Sequence, residues 1–507
     1  MVWLTRALLL SLSAQLAIAK TSNEDAPQPA PVPNADDGKN LAYEKIDKSQ
    51  VVYTSNTTSP DPNSIPPTSG WWSSNICAQN TYCIYTNLGI GHGRGIVLLT
   101  KYADFQKISR LDQHLDQAND RIEAVTTTPE RAEATGAKGK EDREREEEKP
   151  FSESFILSKG PGLTATIPLR RGKPLMRAAP VLLVHKDFFA DIWRKSERNK
   201  FLEKAVSFLP PATREAFDRQ RTLYVLAPDQ EERTIEQILL ASPFEIDLGS
   251  NSYTPFGQES LQTDHSKHYI NYPSMLLFTH SCRPNIAFHI DGNLALRTTV
   301  ARKVAPGEEL SIAYIDPLLP RKERQEWVGR YRPSLSPSSL SPSPYCPCPA
   351  CTGHYPSSKP HGHPHPSSPS SPSQELSTSA SSARLASLDR IRSQLRNHDS
   401  PPVPPETIEY FLQLHIEEGL ESKMAEAYEL AATNYNYLGK DDKKAKKYAE
   451  LAVQAARIEY GGDANEVVAM RIMAGDVRGH WSWGYKVQGC YCWCQACAEF
   501  PCGQVFA

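Results

Sequence analysis

MLLFTHSCRPN, Met275 to Asn285, followed by APGEELSIAYIDP, Ala305 to Pro317, is the stretch from which the fold can be read. In its second half Pro306-Gly307 reads as a turn, so Glu308 and Glu309 sit where a turn enters a strand rather than acting as paired acids. Tyr314 ends that strand, and a tyrosine in such a place is usually a packing residue on position alone. Upstream lies FILSKGPGLTATIPLRRGKPLMRAAP, Phe155 to Pro180, in which Gly160-Pro161-Gly162 lets backbone amides approach a ligand that a side chain would exclude. A lone Gly-x-Gly is more often a strand turn, as Gly93-Arg94-Gly95 also reads. Downstream come Cys346, Cys348 and Cys351, spaced Cys-x-Cys-x-x-Cys.

Taken together and in this order, these elements resemble the SET-domain protein lysine methyltransferases, and more closely the branch related to the SET-and-MYND enzymes. The resemblance runs from about Phe151 to Cys351 and rests on the Gly-x-Gly turn with the following A-x-x-x-x-R-G, on H-S-C-x-P-N, on G-E-E-L-x-x-x-Y and on the cysteine cluster. No MYND zinc module is visible in the inserted region. The fold it implies is α+β: short β-sheets with inserted helices, a post-SET zinc segment and a C-terminal α-helical, tetratricopeptide-like region.

The resemblance also assigns roles. It sets the amino-acid end of S-adenosylmethionine against Lys159, Gly160 and Gly162, with Thr279 alongside, and its adenine against the backbone near His280. Tyr314 would line the methyl-transfer channel, and Asn285 would support a pseudoknot-like crossing of the chain. Cys282, Cys346, Cys348 and Cys351 would close a tetrahedral zinc site, with a disulfide among them as the competing reading. Methyl transfer is an in-line displacement at a sulfonium methyl, so the protein's task is to align a neutral amine and shield it from water. The lysine must first lose its proton, which a desolvated channel beside a cation favours. One departure stands out: the family usually has asparagine where this chain has Thr279, which keeps a hydroxyl but loses the amide's reach and its second donor.

Composition agrees with several folded parts joined by polar segments. The chain has 507 residues, 39% of them hydrophobic and 41 of them proline, and its mean hydropathy is negative. That length exceeds what one core usually holds. A formal charge of −3 gives no electrostatic reason to expect a nucleic-acid partner. The implied partner is a protein presenting a lysine.

Along the chain, Ala7 to Ala19 is a short apolar run with Arg6 before it and small residues ahead of Lys20, the pattern of a secretory signal peptide over residues 1–19. A buried N-terminal helix is the plainer reading of the same run. No later segment reads as a membrane span. Residues 20–70 read as a disordered leader, which includes the sequon Asn56-Thr57-Thr58. Residues 71–128 read as a β-hairpin region with a helix beginning near Tyr102, 129–150 as a charged linker and 151–332 as the SET domain. A Ser/Pro-rich linker carrying the post-SET cysteines fills 333–383. Residues 384–475 carry apolar residues at three- and four-residue spacing, with Gly419, Gly439 and Gly461 expected at left-handed helix ends. Residues 476–507 form a Cys-rich tail.

The eleven cysteines then divide into the zinc set, a candidate pair Cys77 and Cys83, and five in the tail, Cys490, Cys492, Cys494, Cys497 and Cys502. That tail reads equally as a second metal clip or as a non-native extension. Compartment signals conflict: the N-terminus points to the secretory pathway, whereas reduced thiolates and an S-adenosylmethionine requirement point to cytoplasm or nucleus. Functionally the leading reading is an enzyme. Its rivals are a SET-fold scaffold that binds partners through its helices, and a secreted protein stapled by disulfides.

Overall fold

In a computed structural model of the chain, the described residues are 70–109, 149–156, 159–222, 233–241, 244–248, 266–331, 346, 348–352 and 372–488. All of them belong to the compact unit Lys45–Ala507. The expected signal peptide, nearly all of the leader with its sequon, most of the charged linker and the tail cysteines lie outside the described residues.

The chain enters through β1 (Trp72–Ala78), β2 (Tyr82–Asn87), the short α1 (Ile90–Gly93), β3 (Ile96–Thr100) and α2 (Tyr102–Ser109). Next come β4 (Phe151–Ile156), β5 (Gly160–Ala165), β6 (Pro174–Ala178), β7 (Leu182–His185), α3 (Phe188–Asp191), α4 (Lys195–Ser207), α5 (Pro211–Thr222) and α6 (Ile235–Ala241). Then follow β8 (Glu245–Asp247), β9 (Lys267–Asn271), β10 (Thr279–His280), β11 (Ile286–Ile290), β12 (Leu296–Val300), β13 (Ser311–Ile312) and α7 (Arg321–Tyr331). The remainder is helical: α8 (Pro349–Thr352), α9 (Pro372–Arg396), α10 (Pro405–Glu417), α11 (Met424–Leu438), α12 (Asp442–Glu459), α13 (Asn465–Gly475) and α14 (Tyr485–Gln488).

The largest sheet has the order β1-β2-β3-β7-β9-β8. Its central strands, IVLLT and LLVH, are buried along their whole length, as expected of apolar runs covered on both faces. Because strand side chains alternate, Leu98 and Leu183 face one core while Val97, Leu99, Leu182 and Val184 face another. The second core is closed by Leu202, Val206, Phe217 and Leu239 from α4, α5 and α6. The first holds the SET-like motifs. The front hairpin, read from sequence as a separate region, is part of this sheet: β3 pairs in parallel with β7, Leu98 opposite Leu183. That pairing joins strands separated by the whole charged insertion, which no local pattern announces. A disulfide links Cys77 and Cys83, which face each other across the hairpin.

The helical part has its own core, with Leu388 and Ile391 of α9, Phe411 of α10, and alanines such as Ala431 and Ala449 that let α11 and α12 approach closely. Two boundaries differ from the sequence reading. First, α9 begins at Pro372, inside the expected linker; its early turns are Ser- and Thr-rich, so they lack the apolar spacing that marks Leu385 onward. Second, residues 476–488 belong to the helical core rather than to a tail. There the Asn436 Nδ2 donates to the Val477 carbonyl at 3.1 Å and to Ser482 Oγ at 2.7 Å. The glycines Gly419, Gly439 and Gly461 have φ of 65°, 60° and 96°, the left-handed ends expected of them. Gly461 has a second reason to be glycine, since a Cβ there would stand 2.6 Å from His289 Nε2 on β11.

The helices pack directly on the SET-like motifs. Ala287 and Ala301 meet Ile458 of α12, and Arg283 of the H-S-C-x-P-N element donates to Glu418 Oε2 at 2.5 Å. Glu418 also accepts from Ser381 Oγ at 2.9 Å and Arg384 Nε at 2.5 Å. Among the described residues, no helix is long and apolar enough to cross a membrane.

Candidate functional site

The two quoted motifs meet as parallel strands, Thr279 opposite Ser311 and His280 opposite Ile312. Asn285 locks this crossing: its Nδ2 donates to the Glu309 carbonyl at 2.7 Å and its Oδ1 accepts from the Ser311 N–H at 2.9 Å. With 1% exposure, its amide satisfies backbone that would otherwise be buried without partners. The Gly-x-Gly strand is drawn alongside, Leu310 N–H donating to the Leu163 carbonyl at 2.8 Å and Ala165 N–H to the Glu308 carbonyl at 2.9 Å.

This arrangement gathers the residues assigned by resemblance to the cofactor. Gly160 takes a φ of 87°. A Cβ on Gly162 would come within 2.6 Å of Ile156 Cγ1 and 3.0 Å of Thr279 Cγ2, so the glycine lets the turn lie against Thr279. Lys159 folds back, donating from Nζ to the His280 carbonyl at 3.1 Å and to Glu309 Oε1 at 2.7 Å. Thr279 Oγ1 donates to the same Glu309 oxygen. Glu309 is therefore a member of the site that sequence reading placed on a turn; its partner Lys159 is 150 positions away and carries no local signal.

Tyr314 is 4% exposed. Its backbone N–H donates to His280 Nδ1 at 3.1 Å, its hydroxyl donates to the Phe278 carbonyl, and its ring stacks on the imidazole with centroids 5.1 Å apart. Beside it lies a cavity of about 60 Å³ lined by Ile286, Ala287, Phe288 and Ile315. A larger cleft of about 1410 Å³ separates β11 from α9, α11 and α12. Phe288, Asp316, Lys423 and Glu459 line both, so the narrow cavity opens toward the cleft.

Behind His280 the four predicted cysteines converge. Their sulfurs lie within 4.8 Å of one another, Cys282 and Cys351 being 3.6 Å apart, and each is at most 1% exposed. Four thiolates about 2.3 Å from a tetrahedral zinc would lie roughly 3.8 Å from each other, so the set fits that ion in kind and in spacing. Hydrogen bonds from Cys282, Cys346 and Cys351 hold Cys348 well below the usual thiol range.

A second buried cluster, Asp104, His185 and His268, was not anticipated. Its hydrogen bonds argue against a metal. His185 Nδ1 accepts the Asp187 N–H at 3.1 Å, so the proton sits on Nε2, which faces Asp104 Oδ2 at 3.3 Å. His268 Nδ1 donates to the Ser266 carbonyl at 2.9 Å, leaving Nε2 to accept from Thr100 Oγ1 at 2.6 Å. Both ring lone pairs are thus already engaged. Burial, then the nearby His185, lowers the His268 pKa to about 3 and keeps it neutral. Burial works against the Asp104 carboxylate, yet hydrogen bonds from His185 and Ser266 hold its pKa well below the usual range. The cluster pins α2 to β7 and β9.

Comparison with known proteins agrees with the motifs. Residues 160–315 match the SET domain family. A stretch of 56 residues is 45% identical to the mouse protein "Histone-lysine N-methyltransferase SMYD3", covering 11% of this chain and 13% of that protein. The match thus spans a small fraction of the relative's length. Among solved structures, that of the Neurospora SET domain protein DIM-5, a histone lysine methyltransferase, is similar with a TM-score of 0.19 and 16% identity over 33% of this chain and 52% of that one. Residues 160–315 thus carry a SET domain, and a short stretch of the chain is similar to a histone-lysine methyltransferase.

Proposed function

We propose that this chain is an S-adenosylmethionine-dependent protein-lysine N-methyltransferase. The observation that carries the reading is the buried Tyr314, which stands at a narrow, largely apolar cavity opening toward a large cleft, with the Lys159–Thr279–His280 group on the neighbouring strands. S-adenosylmethionine supplies a methyl group on a sulfonium. Lys159 brings a buried ammonium, held on Glu309 and the His280 carbonyl, that a cofactor carboxylate would share, and Gly160 and Gly162 keep the adjoining backbone free of side chains. Thr279 contributes a hydroxyl already engaged with Glu309, where the family's asparagine would offer an amide. Ile286, Ala287, Phe288 and Ile315 wall the cavity at Tyr314 and favour the neutral, nucleophilic form of the amine there, while Asp316, Lys423 and Glu459 line it where it joins the cleft. Tyr314, held through ring, backbone and hydroxyl, positions that amine without reacting itself. The cleft along α9, α11 and α12 accommodates the polypeptide on either side of the lysine.

The four cysteines would hold a structural zinc that fastens the 346–352 segment against the H-S-C-x-P-N element. Calorimetric titration of the purified, zinc-loaded chain with S-adenosylmethionine tests the reading. Saturable binding that is weakened by Lys159→Met is expected. No binding by the wild-type chain would favour the rival, a SET-fold scaffold working through its helices.

A further inference from the structure

Arg324, on α7, has an exposure of 0% and heads the fully buried side chains by volume. Its Nη1 donates to the carbonyls of Pro317, at 3.4 Å, and Leu319. Its Nε and Nη2 have no hydrogen-bond partner of good geometry. Among the described residues no carboxylate forms an ion pair with it. A guanidinium cannot shed its charge inside a protein, so an uncompensated one there is strongly unfavourable. The guanidinium lies beside the four sulfurs: three residues back on α7, Arg321 Nε donates to the Cys351 carbonyl at 2.9 Å, and the Pro317 carbonyl that Arg324 takes is shared with Arg283, which also donates to the Cys282 carbonyl at 2.7 Å.

A second N–H is aimed at the same sulfurs. Because His280 Nδ1 accepts the Tyr314 N–H at 3.1 Å, the ring proton sits on Nε2, 3.3 Å from Cys282 Sγ. Four thiolates around a dication form a dianion, and N–H donors to thiolate sulfur stabilise that charge and fix ligand orientation.

We propose that Arg324 and His280 are outer-sphere donors to the four-sulfur centre, Arg324 serving Cys282 and Cys351 and His280 serving Cys282 while its other nitrogen holds the Tyr314 backbone. The inference rests on the zinc reading of the cysteines. It makes the metal centre the anchor of the tyrosine: Cys282, His280 and Tyr314 are linked in series, so loss of the ion releases His280 on one side and the tyrosine backbone on the other.

The test uses the full chain loaded with zinc or cobalt(II), in wild-type form and as Arg324→Met, Arg324→Lys and His280→Phe. Competition with a chromophoric chelator is expected to show zinc held about 10–100-fold more weakly by Arg324→Met and His280→Phe. Arg324→Lys, which keeps the charge but loses the fork, should fall between these and wild type. The sulfur-to-cobalt charge-transfer band should also shift in each variant, which a merely space-filling role would not produce. If Arg324→Met does not fold, Arg324→Lys and His280→Phe decide the matter. Wild-type zinc affinity and an unmoved cobalt band in the folded variants overturn the outer-sphere assignment. A wild-type chain that takes up neither metal overturns it together with the zinc reading. Neither readout requires methyl transfer, so failure of the enzymatic reading would be seen separately.

Discussion

Removing the Glu418 carboxylate is expected to loosen the helical part from the SET-like motifs. The Glu418 side chain is 0% exposed and is shared by Arg283, whose side chain is 10% exposed, and Arg384, at 31%. In Glu418→Leu, Arg283 keeps its Nη1 contacts to the Cys282 and Pro317 carbonyls but loses its only carboxylate among the described residues. Breaking a buried pair from one side costs about 3–5 kcal/mol because the remaining charge is stranded. Arg384 is exposed enough to turn toward water, which places the expected loss near 3 kcal/mol, or more than about a hundredfold in the local opening constant. The double variant Arg283→Met/Glu418→Leu should recover most of it, since an apolar pair of similar volume is often no worse than the buried ions. Native-state hydrogen exchange of the α9 and α10 amides reads this directly. Exchange in Glu418→Leu within threefold of wild type, or a double variant as loose as the single one, would refute the reasoning.

Three further outcomes are expected, two from the geometry and one from the N-terminal sequence. Burial raises the Glu459 pKa to about 7 from an ordinary 4.5, with its Oε1 accepting the Ala425 N–H at 2.7 Å. The folded state therefore holds a proton that the unfolded state releases between those values, and stability falls as pH rises through that window. Urea unfolding should show Glu459→Gln, which keeps the acceptor but has nothing to ionise, gaining on the order of 1–3 kcal/mol over wild type at pH 8 and almost nothing at pH 4. An equal gain at both would contradict the assignment. Gly461→Ala should lower stability by roughly 1–3 kcal/mol, through the left-handed backbone and the His289 contact together; an unchanged denaturation midpoint would contradict it. Residues 1–30 fused to a reporter should direct its export, and a reporter retained in the cytoplasm would remove the secretory reading.

What the sequence made legible was what short-range pattern encodes. The H-S-C-x-P-N and G-E-E-L-x-x-x-Y elements each lie within one strand and its turn, so their residues arrive together once the two strands pair. The four sulfurs were legible because the resemblance added Cys282 to the Cys-x-Cys-x-x-Cys spacing, and Gly419, Gly439 and Gly461 because a left-handed helix end selects glycine. What escaped was long-range or compositional. Glu309 and Glu418 look like ordinary surface acids until Lys159 and Arg283 are brought to them. The β3–β7 pairing spans a charged insertion, and the first turns of α9 resemble the Ser/Pro linker that precedes them. Arg324 gives no sign of its burial, because α7 carries the charged sequence RKERQEW around it.

The central claim is that Tyr314 lines a channel in which a protein lysine is methylated. Its most direct test is mass spectrometry after the zinc-loaded chain is incubated with S-adenosylmethionine carrying a heavy methyl group and a panel of lysine-bearing proteins. The account predicts heavy methyl on lysine Nζ with the wild-type chain, and transfer reduced by about a hundredfold or more in Tyr314→Phe, since small misplacements of the amine are that costly. A wild-type chain that binds the donor yet transfers nothing, or a Tyr314→Phe variant that transfers as well as wild type, would contradict it.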